Sequence, residues 1–155
     1  MYENKIQLEK YIKHGKFKLH SGKTSDILYD IKAMICDGKL PYIIGELDTS
    51  IPMEIKYGNF TIVGIESAGA IIATYASYIH GWNLVMITKD NEIVGNITDE
   101  YCLVDDVVTS ENSIRKAIAL IGEDPKHIFC VVDRREISSL IIDSMFKPKI
   151  QKWGK

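Results

Sequence analysis

Residues 60–81 read FTIVGIESAGAIIATYASYIHG, and this stretch decides the fold. FTIVGI (60–65) is a short, fully apolar run rich in β-branched residues, which indicates a buried strand. SAGAIIATYASYIHG (67–81) carries small and apolar residues at helical spacing and closes with Gly81, as helices commonly do. The two parts together predict one strand–helix unit of a parallel sheet.

The same alternation continues toward the C-terminus. Three further apolar runs of strand length follow: NLVMIT (83–88), EYCLVDD (100–106) and HIFCVVD (127–133). Between the last two lies an amphipathic helix, SIRKAIALIG (113–122), which ends at Gly122. Continuously apolar strands that alternate with helices are typical of a sheet covered on both faces. We therefore predict an α/β fold, a doubly wound parallel sheet with helices on both faces.

The N-terminal part has a mixed pattern. It reads in order as a helix, two strands joined by a polar turn, and a helix that Pro52 kinks or splits (2–14, 17–20, 27–31 and 41–57). The chain contains no internal repeat or linker. We predict a single domain over 1–155, with residues 1–58 as a small hood above the carboxyl end of the sheet and 59–155 as the core.

Composition narrows the function classes. Of 155 residues, 46% are apolar and 26% charged, as in ordinary soluble domains, and the net charge of −2 gives no reason to expect nucleic acid or anionic membrane as a partner. No apolar run reaches the roughly 18–20 residues that a membrane span needs, and MYENKIQLEK at the start does not resemble a signal peptide.

The chain has three widely spaced cysteines, Cys36, Cys102 and Cys130, and this spacing favours buried reduced thiols and a cytoplasmic protein. The four histidines do not cluster with metal-ligating residues, so no protein metal site is predicted.

The loop after the third core strand carries the most chemical information. Asp105 and Asp106 close a buried strand, and the polar run 109–113 (Thr-Ser-Glu-Asn-Ser) then opens a helix. Backbone N–H groups at a helix N-terminus bind anions, and an acidic pair beside them suits a ligand with a diol next to a phosphate, such as ribose 5-phosphate. An acidic strand end followed by an ordinary polar helix cap explains the same residues. A phospho-acceptor pocket would instead need an acidic pair after the first core strand, which this chain lacks.

Four segments, in order, resemble a known family. CLVDDVVTSENS (102–113) resembles the phosphoribosyl-pyrophosphate signature of type I phosphoribosyltransferases. GKFKLHSGKTSDILYDIK (15–32), IVGIESAGAIIA (62–73) and VVDRRE (131–136) resemble the corresponding segments of orotate phosphoribosyltransferases in particular. The segments span nearly the whole chain, which is therefore identified as similar to the orotate phosphoribosyltransferase family.

The resemblance implies transfer of a phosphoribosyl group from phosphoribosyl pyrophosphate to orotate, in pyrimidine nucleotide biosynthesis. Asp105 and Asp106 would be catalytic, holding the ribose hydroxyls and stabilising positive charge on the sugar. Phosphoribosyl pyrophosphate would be bound by Lys89 and by the nine residues Asp105, Asp106, Val107, Val108, Thr109, Ser110, Glu111, Asn112 and Ser113. Magnesium would enter on the substrate, with no ligand directly from the protein, and the family pattern implies a homodimer.

Orotate would be bound by Thr109, Arg134 and Lys23. The planar fork of donors on Arg134 suits the orotate carboxylate, although a surface ion pair with Asp133 or Glu136 is the plainer interpretation of that arginine. Lys23 reads equally well as a solvated turn lysine. A phosphoribosyltransferase for another base is an alternative, but a purine offers no carboxylate to Arg134.

Two departures from the family pattern bear on activity. Glu111-Asn112 stands where the family has small residues, often Gly-Gly. A carboxylate there would oppose a bound phosphate unless it turned away, so Gly-Gly is expected to tighten binding; alternatively, Glu111 faces solvent in the first helical turn. ITKDNEIVGNITDEY (87–101) keeps Lys89 but lacks the basic cluster and histidine of the family's longer mobile loop. A catalytically impaired nucleotide- or phosphoribosyl-binding regulatory protein of the same fold is therefore an alternative function.

Overall fold

A computed structural model describes residues 6–19 and 22–149. Six strands form its main sheet, in the spatial order β5-β4-β3-β6-β7-β8. Their bounds are β3 Phe60–Ile65, β4 Asn83–Ile87, β5 Ile93–Val94, β6 Glu100–Val108, β7 His127–Asp133 and β8 Asp143–Phe146. All neighbouring strands are parallel except β5, which pairs antiparallel with β4. The predicted doubly wound parallel sheet is confirmed, and the four predicted core strands lie where the sequence indicated.

Helices cover both faces of this sheet because alternate strand residues point to opposite sides. Ile62, Cys102 and Phe129 face helices α2 (Leu40–Ser50) and α4 (Ala68–His80) in one apolar cluster. Val63 and Leu103, one residue further along their strands, pack in a second cluster with α5 (Asn112–Ile121). The continuous apolar character of the strands is thus explained by burial on two sides.

The N-terminal residues form a hairpin followed by helices. A 3₁₀ turn (Leu8–Tyr11) leads into β1 (Ile12–Lys18), which pairs antiparallel with β2 (Thr24–Tyr29). Short α1 (Ile31–Met34), a π-helical segment (Ile35–Lys39), α2 and α3 (Met53–Lys56) follow. The predicted helix over 2–14 is wrong at 12–14, because pairing with β2 overrides the helical spacing of a few apolar residues; residues 2–5 lie outside the described part. The predicted split at Pro52 is confirmed, since α2 and α3 lie on either side of it.

The hairpin of this region reaches the carboxyl end of the sheet, and its helix α2 covers one face. The side chain of Arg134, just beyond β7, contacts β2, whereas α2 packs against α4, β7 and β8. The division into a hood at 1–58 and a core at 59–155 stays a prediction. Cys102 and Cys130 are buried as expected, but Cys36 is exposed, because it lies in the π-helical segment outside the core. In the described ranges no helix has the length and apolar character to cross a membrane.

Two glycines let α4 lie directly against the sheet. A Cβ on Gly64 would come within 2.6 Å of the Cα of Ala70, and one on Gly69 within 2.7 Å of the Val104 carbonyl oxygen and 3.0 Å of the Cα of Asp105. Real Cβ atoms do not approach backbone this closely, so only glycine fits at these two positions. The start of α4 is thereby packed against β6 at the acidic pair.

Candidate functional site

The carboxyl ends of β3, β6 and β7 lie side by side, and the three chemically distinctive loops follow them. In the β6–β7 register Val108 is opposite Asp133, and the N–H of Arg134 donates to the carbonyl oxygen of Val108 at 2.8 Å. On the other side of β6, Val104 is opposite Gly64, two residues before the Glu66–Ser67 peptide, which is cis. Asp105, Asp106, the 109–113 loop and the backbone of Arg134 therefore meet at the carboxyl end of the sheet. That they line one ligand cleft stays a prediction.

The two acidic residues have different surroundings. Asp105 is buried, its side-chain oxygen accepts the N–H of Asp106 at 2.8 Å, and burial together with the charge of Asp106 raises the pKa of Asp105 well above that of an ordinary aspartate. Asp106 is half-buried and accepts the N–H of Val107 at 2.7 Å. Asp106 is thus the more accessible of the two acids for a ligand's hydroxyl groups.

The 109–113 loop follows β6, and its last two residues form the start of α5. Thr109, Ser110 and Ser113 are half-buried, Asn112 is exposed, and Ser110 Oγ accepts the Asn112 N–H at 3.4 Å. The side chains of Val107 and Val108 pack against the apolar clusters, so only their backbone groups are suited to polar contacts with a ligand. The loop joins a helix of ten residues whose first N–H groups have no partner within the helix.

The Glu111 carboxylate points toward Arg135 and Ser139, an orientation that the sequence did not suggest. Its carboxylate accepts hydrogen bonds from Arg135 Nη1 (2.6 Å), Arg115 Nη2 (2.8 Å), Ser139 Oγ (2.6 Å) and the N–H groups of Ser139 and Leu140 (2.9 and 3.0 Å). Only 10% of the side chain is exposed, so it does not face solvent either. Burial acts to raise the pKa of Glu111, but these hydrogen bonds outweigh it and hold the pKa well below that of an ordinary glutamate. The expected gain from a Gly-Gly substitution loses its basis, because this carboxylate already accepts bonds from five donors, two of them on positively charged guanidiniums.

Arg134 leaves the end of β7 toward the N-terminal hairpin. Its guanidinium lies 5.3 Å from the ring centre of Tyr29, and Nη2 donates to Ser25 Oγ at 3.3 Å. The side chain is half-buried, and this burial lowers the pKa of Arg134, with the ionisable Tyr29 acting in the opposite direction. Asp133, the partner proposed in the surface ion-pair interpretation, is instead bonded to Arg135 through both of its carboxylate oxygens.

The two predicted lysines lie at the rim. Lys23 is exposed in the turn between β1 and β2, where its carbonyl oxygen accepts the N–H of Leu19 at 2.8 Å. Lys89 is exposed just beyond β4, and its N–H donates to Glu66 at 2.9 Å. Lys89 and Glu66 also line a groove of about 800 Å³ that runs along α4.

The segment 88–99 is folded onto the edge of the sheet. β5 pairs with β4, and the N–H of Thr88 donates to Glu92 across a tight turn at Asn91, which has a positive φ of 60°. Further along, Asn83 Nδ2 donates to the Asn96 carbonyl at 2.6 Å, and the N–H of Thr98 donates to Thr61 Oγ1 at 3.1 Å. These bonds hold the segment 88–99 against β4 and β3 of the sheet.

Sequence reasoning missed Arg135, Ser139, Ser25 and Tyr29 as parts of this site. Arg135 stands next to Arg134 in VDRRE, and the pattern alone did not distinguish the two arginines. The buried carboxylates of Glu111 and Asp133 could have signalled that one guanidinium was needed to pair with them. No local pattern marks Tyr29 and Ser25 as contacts of a residue more than a hundred positions away.

Comparison with known proteins identifies relatives of the chain. It is 32% identical over 152 residues to the orotate phosphoribosyltransferase of Methanosphaera stadtmanae, covering 87% of this chain and 84% of that one. It is 34% identical to the enzyme of the same name from Pyrococcus horikoshii over 145 residues (86% and 78% covered) and 35% identical to that from Picrophilus torridus over 137 residues (81% and 80%). No protein-family model matches the chain.

Solved structures share the fold. Orotate phosphoribosyltransferase from Aeropyrum pernix superposes with a TM-score of 0.68 at 20% identity, covering 81% of this chain and 78% of that one. An adenine phosphoribosyltransferase superposes with a TM-score of 0.63 at 12% identity, covering 94% and 100%. These structures establish the type I phosphoribosyltransferase fold, and the sequence relatives establish the family more narrowly. The chain belongs to the orotate phosphoribosyltransferase family.

Proposed function

We propose that the chain transfers a phosphoribosyl group from phosphoribosyl pyrophosphate to orotate and forms orotidine 5′-monophosphate and pyrophosphate. The observation that carries this proposal is the meeting of Arg134 with the end of β6, where the acidic pair and the 109–113 loop follow. A half-buried guanidinium beside an acidic pair and a helix N-terminus matches a ligand with a carboxylate, a diol and a phosphate. Relatives named for this reaction support the same substrates.

In this reaction a ring nitrogen of orotate gives up its proton to water and forms a bond to the ribose carbon, and the bond from that carbon to pyrophosphate breaks with its electron pair leaving on pyrophosphate. Positive charge grows on the sugar as the bond breaks. Asp106, half-buried beside the 109–113 loop, is proposed to hold the ribose hydroxyls and stabilise this charge, with Asp105 behind it. Thr109, Ser110 and Ser113 would bind the 5′-phosphate together with the first N–H groups of α5.

Arg134 is proposed to bind the orotate carboxylate, with Thr109 and Lys23 at the same pocket. Tyr29 supports this role, because its ring lies against the guanidinium and limits the directions in which the side chain can turn. Lys89 is proposed to contact the pyrophosphate, beside the Glu66–Ser67 turn. Magnesium would enter bound to the pyrophosphate, where it neutralises charge on the leaving group.

We also propose a homodimer in the cytoplasm. The outward face of α4 supports pairing, since Ile71, Tyr75, Tyr78 and Ile79 are exposed on it. Contiguous exposed apolar side chains of this kind commonly mark an interface. The cytoplasm is the expected compartment for a chain with three free cysteines, one of them exposed.

One observation favours a second candidate, a binding protein of the same fold with little catalysis. The segment 88–99 is hydrogen-bonded along the sheet edge through Asn83 and Thr61, so it is not arranged as a loop that closes over pyrophosphate. A leaving group left exposed to water would be expelled slowly. We therefore expect a low kcat, with further loss in phosphoribosyl pyrophosphate binding on Lys89→Ala.

The test is formation of orotidine 5′-monophosphate from orotate and phosphoribosyl pyrophosphate with Mg²⁺, measured by chromatographic separation of the nucleotide product. Adenine in place of orotate serves as the control for base specificity. Product from orotate alone supports the proposal. Calorimetric binding of both substrates without product would favour the binding protein, and product from adenine alone would contradict the orotate assignment.

A further inference from the structure

Five side chains form one connected set of hydrogen bonds between the 109–113 loop, the end of β7 and the segment that follows it. We call this set the Glu111 network, and its members are Glu111, Arg115, Asp133, Arg135 and Ser139. Its two carboxylates and two guanidiniums balance in charge, and Lys147 Nζ lies 3.7 Å from Asp133 at its margin. None of these five side chains is proposed to contact substrate, and the Glu111 carboxylate points into the network.

Arg135 is the centre of the network. Its side chain is only 3% exposed, and Nε and Nη2 donate to the two oxygens of Asp133 at 3.0 and 2.9 Å. Nη1 donates to Glu111 at 2.6 Å and to the carbonyl oxygen of Leu140 at 2.9 Å. A guanidinium can meet two carboxylates at once in this way because its donors form a rigid planar fork.

The network holds the backbone on both sides of Arg134. Asp133 precedes Arg134 and Arg135 follows it, and one Asp133 oxygen also accepts the backbone N–H of Arg135 at 3.0 Å. Arg134 itself donates its N–H to Val108, the residue before Thr109. At the other end Glu111 lies inside the 109–113 loop, so one set of bonds connects the loop to the residues that flank Arg134.

We propose that Glu111 and Arg135 are positioning residues that fix the phosphate loop and Arg134 relative to each other, so that binding at both ends of the nucleotide depends on this ion pair. The inference rests on the proposed function of the site. It gives the glutamate at 111 a role: the carboxylate fastens the loop through side-chain contacts, where a glycine would leave the loop attached only through its backbone.

The charge on Glu111 is the part of the network that a substitution removes most cleanly. Glu111→Gln keeps the size of the side chain but gives Ser139 and Leu140 a weaker acceptor and places an amide N–H against other donors. Arg135 would then be buried with one carboxylate, and a buried donor set without its partner is costly. Glu123→Gln is the matched control, because Glu123 is an exposed glutamate just beyond the end of the same helix.

The experiment measures Kd by calorimetry for two separate probes, ribose 5-phosphate for the loop and orotate for Arg134. In Glu111→Gln both Kd values are expected to rise about tenfold, as the loss of one charge-assisted contact would give. Circular dichroism and a cooperative melting transition would show that the variant is folded. Glu123→Gln is expected to bind both probes as the wild type does.

A folded Glu111→Gln with a lower Tm but wild-type Kd for both probes would overturn the proposal and leave the network a purely structural feature. If that variant does not fold, Ser139→Ala decides, because it removes one hydroxyl donor and keeps the backbone N–H bonds. Ser139→Ala should raise the Kd of both probes about two- to threefold, and unchanged Kd values would again overturn the proposal. Failure of the proposed function would give a different result, because the wild type itself would then not bind orotate. In that case the Kd of ribose 5-phosphate alone would test the role of the network.

Discussion

The guanidinium of Arg134 lies 5.3 Å from the ring centre of Tyr29. This contact connects the end of β7 to β2 of the N-terminal hairpin. Arg134 Nη2 also donates to Ser25 on the same strand of the hairpin. These contacts hold a cation above the carboxyl end of the sheet, where ligands of open α/β folds bind. The hairpin thus helps to form the candidate orotate pocket and is more than a cover on the sheet.

Arg134→Ala should raise KM for orotate at least tenfold and leave KM for phosphoribosyl pyrophosphate nearly unchanged. Losing a bidentate contact to a carboxylate costs about 1.5–3 kcal/mol, which corresponds to that factor. Arg134→Lys keeps the charge but loses the planar fork, so it should recover only part of the affinity. Steady-state kinetics with each substrate varied in turn measures both effects, and Lys116→Ala on the exposed side of α5 is the control. Equal losses for both substrates would argue against a specific orotate contact.

Asp105→Asn should make the protein more stable near neutral pH. Burial and Asp106 raise the pKa of Asp105 in the folded protein, so folding favours its protonated form. The stability that comes from this proton is complete below the ordinary pKa of 3.8 and is lost as pH rises through the higher folded pKa. The neutral amide avoids that loss, and a rise in Tm of a few degrees is expected at pH 7, vanishing at low pH. Thermal melts of both proteins across this pH range provide the measurement; a variant that is less stable at pH 7 would contradict it.

Much of the fold follows from local sequence. The apolar strands 60–65 and 127–133 were identified with correct bounds, because burial on both faces leaves a continuous apolar run that few other structures produce. Gly81 and Gly122 marked the helix ends, and both have the positive φ that favours glycine there (70° and 88°). β8 was missed because DSMF is four residues long and has only Met145 buried.

The site was predictable only where it follows strand ends. The acidic pair and the loop after β6 had to lie beside the end of β7, because parallel neighbours share one edge. The orientation of Glu111 was not predictable, since its partners Arg135 and Ser139 are 24 and 28 positions away and are brought near by the path of the chain after β7. Contacts of this kind depend on tertiary structure and leave no periodic signal in the sequence.

The contribution of Glu111 to stability should depend on pH in the direction opposite to that of Asp105. Folding lowers the pKa of Glu111, so its stabilising effect is complete above the ordinary pKa of 4.5 and is lost as pH falls through the lower folded pKa. Glu111→Gln should therefore reduce the free energy of unfolding by about 2–3 kcal/mol near neutral pH. The difference from the wild type should shrink below about pH 4. Urea unfolding at several pH values measures it, and a difference independent of pH would show that the charge of Glu111 is not involved.

We predict that the chain forms a homodimer through the exposed face of α4. Tyr78 is 85% exposed, and together with Tyr75 and Ile71 it lines the groove that also includes Lys89. A second subunit seated there would cover these side chains and lie beside the proposed pyrophosphate contact. Tyr78→Glu would place a charge in that interface, and an unpaired buried charge costs several kcal/mol. Sedimentation at micromolar concentration should give a dimer for the wild type and a monomer for Tyr78→Glu, whereas Lys116→Glu on α5, which packs on the opposite face of the sheet, should remain a dimer. A monomeric wild type would remove the prediction, and a dimeric Tyr78→Glu would move the interface away from α4.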